Sequence, residues 1–157
     1  MKFVKKRRRM EGKTDYNARK ELLKSKRARI VFRKTNRYVI GQYVKSEEAK
    51  DKVVTGLMSK ELIDYGWPKT FNVKSLIASY LTGYLLGKKI LDKGEKEGIF
   101  DSGLLRSVKK SRMYAFLKGV VDSGVKVKCK EEMFPEEKRI KNENSEKIKE
   151  KIDKRFV

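Results

Sequence analysis

Of the 21 positive charges the chain carries in excess, 13 fall within residues 1–37, where 16 Lys or Arg meet only 3 acids. The basic cluster that opens this segment cannot form a core, so the core must be assembled from apolar residues further along the chain. Residues 38–127 hold 16 basic and 10 acidic side chains, and residues 128–157 hold 10 and 8. More than half of the excess thus lies in the first quarter of the chain. With 38% apolar residues among 157, there is material for one domain and too little for two. A net charge of +21 destabilises a free monomer by self-repulsion and points to a polyanionic partner, most commonly nucleic acid. A membrane fits poorly: no stretch approaches 18 consecutive apolar residues, and no apolar run follows the first basic cluster as in a signal peptide. The single cysteine, Cys129, excludes an internal disulfide and a cysteine metal site, and suits a reducing cytoplasm.

The charge is densest at Lys5-Lys6-Arg7-Arg8-Arg9, which is expected to be disordered in isolation. A nuclear-localisation signal or a merely solvated tail would carry the same cluster. Thr14, Tyr16 and Asn17 just beyond it argue instead for RNA, since arginine grips phosphates bidentately and tyrosine stacks on unpaired bases. Asp15 to Lys24 can form a short helix with Arg19 and Lys20 outward and Leu22 and Leu23 against the domain.

From Arg29 the pattern becomes that of strands. Ile30-Val31-Phe32, a turn at Thr35-Asn36, a second strand through Tyr38 and Ile40, a polar loop at Glu47–Asp51 and a third run Val53–Met58 predict an antiparallel meander with a basic tip at Arg33, Lys34 and Arg37. After a connection at 61–70, Val73, Leu76, Ile77, Tyr80, Leu81, Tyr84 and Leu85 define one buried helical face starting near Asn72 and ending at Gly94. Gly83 and Gly87 are read as allowing close helix–sheet packing. Ile99-Phe100 is a short strand, and Ser111 to Gly124 bound a second helix facing inward through Met113, Phe116, Leu117, Val120 and Val121. Val125, Val127 and Cys129 alternate with lysines as an edge strand would. Together these predict a single α/β domain: a mixed sheet in which an antiparallel three-strand meander is joined by a parallel strand, order about 3-2-1-4, packed with two main helices. The expected organisation is a basic extended N-terminal arm over 1–28, an RNA-binding body over 29–130 and a polar C-terminal extension over 131–157. In the extension Ile148, Ile152 and Phe156 make a stripe too thin for a helix alone in water, expected to dock on a partner or stay mobile.

No catalytic constellation emerges. The absence of histidine removes the commonest general base and metal ligand. Gly12-Lys13-Thr14 resembles the end of a phosphate-binding loop, but position 7, where the first glycine belongs, is Arg. Asp101 could join Asp92, Asp122 or Asp64 in a Mg²⁺-binding carboxylate cluster, though as a turn residue accepting hydrogen bonds from Ser102 and Gly103 it needs no metal. No catalytic residue, metal ligand, cofactor or small-molecule substrate is therefore expected.

The segment Arg7-Arg8-Arg9-Met10-Glu11-Gly12-Lys13-Thr14-Asp15-Tyr16, with Arg19, resembles the N-terminal motif of the large-subunit ribosomal protein family uL18 in its archaeal and eukaryotic form. Further stretches agree in the same order: Ile30 to Arg37, Gly66-Trp67, Tyr80 to Gly87, Ser111 to Gly119 and Phe134 to Ile140. The resemblance covers residues 3–141, and its length favours the archaeal type. It implies a structural, non-enzymatic constituent of the cytoplasmic ribosome that binds 5S rRNA and helps attach it to the large-subunit rRNA in the central protuberance, beside uL5 and other proteins there. It also implies the contacts: Lys5, Lys6, Arg7, Arg8, Arg9, Lys13, Thr14, Asp15, Tyr16 and Arg19 toward 5S rRNA, with Arg33, Lys34, Thr35, Asn36 and Arg37 adding rRNA contacts. The lysine-rich loop from Asp101 to Ser111 and an extension from Asn142 onward past the usual end are read as departures from the family. A free-standing RNA chaperone or nucleic-acid-binding regulator is the runner-up reading, and an RNA enzyme the third.

Overall fold

The β-branched and aromatic run Ile30-Val31-Phe32 nucleates the first strand of a four-stranded sheet. In the computed structural model, which describes residues 6–48 and 50–156, the strands are β1 (Arg29–Lys34), β2 (Val39–Glu47), β3 (Lys50–Met58) and β4 (Ile99–Asp101). The helices are α1 (Arg7–Met10), α2 (Tyr16–Lys24), α3 (Leu76–Asp92), α4 (Arg112–Asp122) and α5 (Glu143–Arg155), with a 3₁₀ helix at Ser59–Tyr65. The sheet order is β3-β2-β1-β4, antiparallel except for the β1–β4 pair, as the sequence pattern predicts. The β2–β3 connection is tighter than the expected polar loop, since β2 runs to Glu47 and β3 starts at Lys50.

Alternation along β1 sorts its side chains to two faces. Ile30 and Phe32 point to the helices, where the Phe32 ring lies 5.1 Å from that of Phe116 on α4. Leu81, Leu85 and Leu86 of α3 and Phe116, Leu117 and Val120 of α4 complete this core. The two helices approach so closely that a Cβ on Gly83 would strike the Phe116 carbonyl, and one on Gly119 the Tyr80 carbonyl. Gly83 and Gly87 thus serve helix–helix contact, not the helix–sheet contact expected of them, because α4 lies directly along α3 and Gly87 meets Ser123.

Three boundaries differ from the periodicity. α3 is capped by Ser75, whose side chain accepts a hydrogen bond from the Ala78 N–H at 3.1 Å, while Asn72 caps only the preceding turn, accepting from the Lys74 N–H at 2.9 Å. The alternating Val125–Cys129 segment makes one parallel bridge, Lys126 to Glu97, and is otherwise not a strand, because its only backbone hydrogen bonds to the segment before β4 are those of Lys126 with Lys96 and Gly98.

The third concerns the C-terminal segment, which packs on the chain's own body. Ile148 and Ile152 of α5 are buried, and Asp153 accepts from the Tyr84 hydroxyl at 2.7 Å and pairs with Lys88 at 2.7 Å. Lys149 lies 4.7 Å from the centre of the Tyr84 ring and Arg155 5.3 Å from that of Tyr65. Burial, reinforced by Asp153, pushes the Tyr84 phenol up, so it stays a hydrogen-bond donor at any physiological pH. The stripe is narrow, but Tyr84 and Lys88 on α3 and Tyr65 on the 3₁₀ helix form a seat for it, onto which α5 also lays Lys149 and Arg155.

Candidate nucleic-acid interface

The sheet face turned away from α3 and α4 is built on Arg29, Val31 and Arg33 of β1. Arg29 is 3% exposed and donates to Asp101 at 2.9 Å, to Asp51 at 2.7 Å and to Ser46 at 3.1 Å. A guanidinium with two carboxylates satisfies the rule that buried charges survive only when paired. Asp51 also accepts from Arg19 of α2 at 2.8 Å, so the same carboxylate anchors the N-terminal segment to the sheet. Partial burial opposes its ionisation, yet hydrogen bonds from Ser46, Arg19 and Arg29 prevail and hold its pKa at about 2.

Above this layer lies a cleft of about 150 Å³ whose lining includes Arg8, Lys13, Thr14, Arg19 and Arg33. The fold thereby joins the N-terminal motif and the first hairpin residue, which are some twenty residues apart in sequence. Arg8 Nε donates to Thr14 Oγ1 at 3.0 Å and closes the loop around Gly12, whose φ of +61° suits glycine. Asp15 caps α2 by accepting from the Asn17 and Ala18 N–H groups, so its carboxylate shapes the motif from within. Tyr16 is half-buried, with the Lys6 ammonium 4.6 Å from its ring centre. Glu11 pairs with Arg7 at 3.1 Å and with Lys13 at 2.7 Å. Exposed pairs of this kind contribute less than about 1 kcal/mol each, so a phosphate can replace the carboxylate at little cost. Lys5 lies outside the described residues.

The hairpin residues divide. Arg33 donates to the Asp101 carbonyl at 3.1 Å and lies 3.4 Å from its carboxylate, so it belongs to the cleft. Arg19, expected to point outward, is half-buried against Asp51. Thr35 staples the turn, its Oγ1 accepting from the Tyr38 N–H at 2.9 Å. Lys34, Asn36 and Arg37 stay exposed at the tip, away from the cleft. Asp101 does accept from the Gly103 N–H at 2.8 Å, as a turn residue should, but it is chiefly the counter-ion of Arg29.

Sequence reading missed Arg29, Asp51 and Leu104, which also lines the cleft. The alternation Arg29-x-Val31-x-Arg33 was the available signal, since it sets two arginines on one face of a strand whose other face is core. Among the described residues, no three His, Cys, Asp or Glu side chains come together as a metal site. Nor is any described helix long and apolar enough to cross a membrane. Cys129 is half-buried off any strand, and burial pushes its thiol up.

Residues 2–100 match the family described as ribosomal large subunit proteins 60S L5 and 50S L18. The chain is 47% identical over 150 residues to the large ribosomal subunit protein uL18 of Korarchaeum cryptofilum, covering 96% of this chain and 76% of that protein. It is 46% identical to the protein of the same name from Methanothrix thermoacetophila (87% and 80% covered) and 40% identical to that from Methanosphaera stadtmanae (93% and 75%). The first of these matches leaves at most seven residues of the chain unaligned, so most of the segment from Asn142 has a counterpart in that relative. The chain therefore belongs to the uL18 family of archaeal type, and is a structural, non-enzymatic constituent of the large ribosomal subunit.

Proposed function

We propose that the chain binds 5S rRNA and helps attach it to the large-subunit rRNA in the central protuberance, beside uL5. In this reading residues 1–28 form an RNA-gripping arm, 29–130 the body that fixes the arm's origin, and 131–157 a brace. The observation that carries it is the contrast across the sheet: one face is closed by α3 and α4, while the other bears a clasped arginine–aspartate layer overlaid by Arg8, Lys13 and Arg19. A-form RNA offers mainly phosphates, 2′-hydroxyls and a shallow minor groove, so its recognition relies on shape and charge. Arg7, Arg8 and Arg9 project from a single helical turn with no buried residue, held among the described residues only by surface bonds to Glu11 and Thr14, and so can follow a phosphate ridge. Lys34, Asn36 and Arg37 at the hairpin tip reach a second stretch of rRNA. Their separation from the cleft suits a protein that joins two RNA surfaces.

Co-sedimentation tests this reading. The chain should travel with 5S rRNA and with large subunits in one-to-one stoichiometry, and the 5S complex should persist in excess bulk tRNA. Equal affinity for tRNA would instead identify a nonspecific RNA chaperone.

A further inference from the structure

Phe71 is an apolar side chain that the fold leaves 50% exposed although nothing requires it to be. It is held firmly. Its N–H donates to the Pro68 carbonyl at 3.0 Å, and its own carbonyl accepts from Trp67 Nε1 at 3.3 Å. The buried Trp67 ring meets it edge-on, 6.1 Å between centres at 77°, which fixes the phenyl plane and leaves ring surface to solvent. The loop is tied to the hairpin tip, because Lys74 Nζ donates to the Asn36 carbonyl at 2.8 Å, and to α4, because Arg112 donates to the Lys74 carbonyl at 3.2 Å.

Around Phe71 lies an open hollow of about 370 Å³, within the range of small-ligand sites, roughly 300–1,000 Å³. Arg37, Lys60, Lys69 and Lys74 line it together with Asn36 and Asn72, and no carboxylate does. Among the described residues, Arg37, Lys60 and Lys69 form no ion pair. Glu61 and Asp64 border the adjoining hollow, where Glu61 is engaged by Lys89 at 2.8 Å.

A rigid aromatic face ringed by unpaired cations matches the requirements of a splayed-out nucleotide: a π surface for the base, donors for its edge and positive charge for the flanking phosphates. We propose that Phe71 is a stacking seat for one unpaired rRNA base, with Arg37, Lys60 and Lys69 holding the adjoining phosphates. The inference rests on the RNA-binding reading and adds a single-stranded site to it. Duplex RNA does not satisfy the site, because its bases are stacked and its grooves present no base face. An acidic peptide would use the cations and ignore the ring.

Trp67 is the chain's only tryptophan, so its emission reports locally on the ring beside it. The full chain is titrated with single-stranded octaadenylate, and separately with a blunt G·C-rich RNA duplex of about twelve base pairs, which stays paired under these conditions, and with decaglutamate. Salt is set near 0.3 M, where nonspecific phosphate binding is weakened. Phe71→Leu keeps the apolar contact on Trp67 without the π face, and Phe71→Tyr keeps both. Octaadenylate should quench Trp67 saturably, Phe71→Leu should weaken that binding roughly tenfold, and Phe71→Tyr should stay within about twofold. Melting temperatures of both variants should match the parent. The proposal is overturned if Phe71→Leu binds octaadenylate as tightly as the parent, if both variants lose affinity equally, or if the duplex or decaglutamate shows the same Phe71 dependence. Failure here leaves 5S rRNA binding by the N-terminal arm intact, since that reading fails only if removing the arm leaves 5S affinity unchanged.

Discussion

Residues 6–28 and residues 131–156 both look like polar appendages, rich in lysine and short of apolar side chains, yet they relate to the body in opposite ways. The N-terminal stretch has no fully buried residue and meets the sheet through one ion pair, Arg19 to Asp51, and at its end through Ala28, whose carbonyl accepts from the Ile99 N–H at 2.8 Å. The C-terminal stretch buries Ile140, Ile148 and Ile152 and fastens Asp153 to Tyr84 and Lys88. Charge explains part of the difference. The first 37 residues carry a net +13, whereas the last 30 carry +2, so the C-terminal helix can lie on a basic body without heavy repulsion. A few well-placed apolar residues then decide the outcome, since each buried isoleucine contributes about 1.5–3 kcal/mol and an exposed ion pair less than about 1. Mean polarity is a poor guide to whether a segment folds onto its own chain.

The comparison predicts separable losses. Removing residues 1–16 deletes Lys2, Lys5, Lys6, Arg7, Arg8, Arg9 and Lys13 but no buried side chain among those described. Affinity for 5S rRNA should fall by roughly two orders of magnitude or more near physiological salt, with log affinity against log salt flattening by somewhat under one unit per lost contact. The melting temperature of the free protein should hold or rise. Filter binding at several salt concentrations and a thermal melt read both, and an early melt would break the contrast from the N-terminal side.

Ile152→Ala should do the reverse. A fully buried side chain lost at the α5 seat costs about 2–5 kcal/mol, while 5S affinity measured below the melting transition should stay unchanged. Denaturant melts supply the stability, and a variant as stable as the parent would show α5 to be only lightly docked.

Some of this was written plainly in the sequence and some was not. β1, the Thr35 turn and the paired helices are local patterns: an apolar run, a turn residue and a 3–4 spacing through Leu81 and Leu85. The α5 seat is not local. Ile148 and Ile152 find their partners near Tyr65 and Tyr84, more than sixty residues earlier, and no periodicity within the tail reveals that. The cleft was half-legible. Its N-terminal side chains stand in one basic motif, but the pairing of Arg29 and Arg33 with Asp101 joins positions some seventy residues apart through a parallel strand. Arg33 was accordingly assigned to the hairpin tip when the chain clasps it inward.

A smaller effect concerns the tether. Asp51 is ionised in the folded chain down to a pKa of about 2, below an unfolded value near 3.9. Its contribution is therefore fully present above about pH 4 and is lost as pH falls toward 2. Partial exposure limits it to about 1 kcal/mol. Asp51→Asn should thus narrow the gap in melting temperature between pH 7 and pH 3, and an unchanged gap would remove Asp51 from the account of how α2 is held.

The contrast between the two ends is tested most directly by amide hydrogen exchange of the full chain, free and bound to 5S rRNA. Residues 6–28 should exchange rapidly in the free protein and gain protection on binding, because no fully buried side chain holds them and phosphate contacts would add to their few ties. Amides of Glu143–Arg155 should be protected already in the free protein and unchanged in the complex. Protection gained in α5 on binding, with none gained in residues 6–28, would contradict the account.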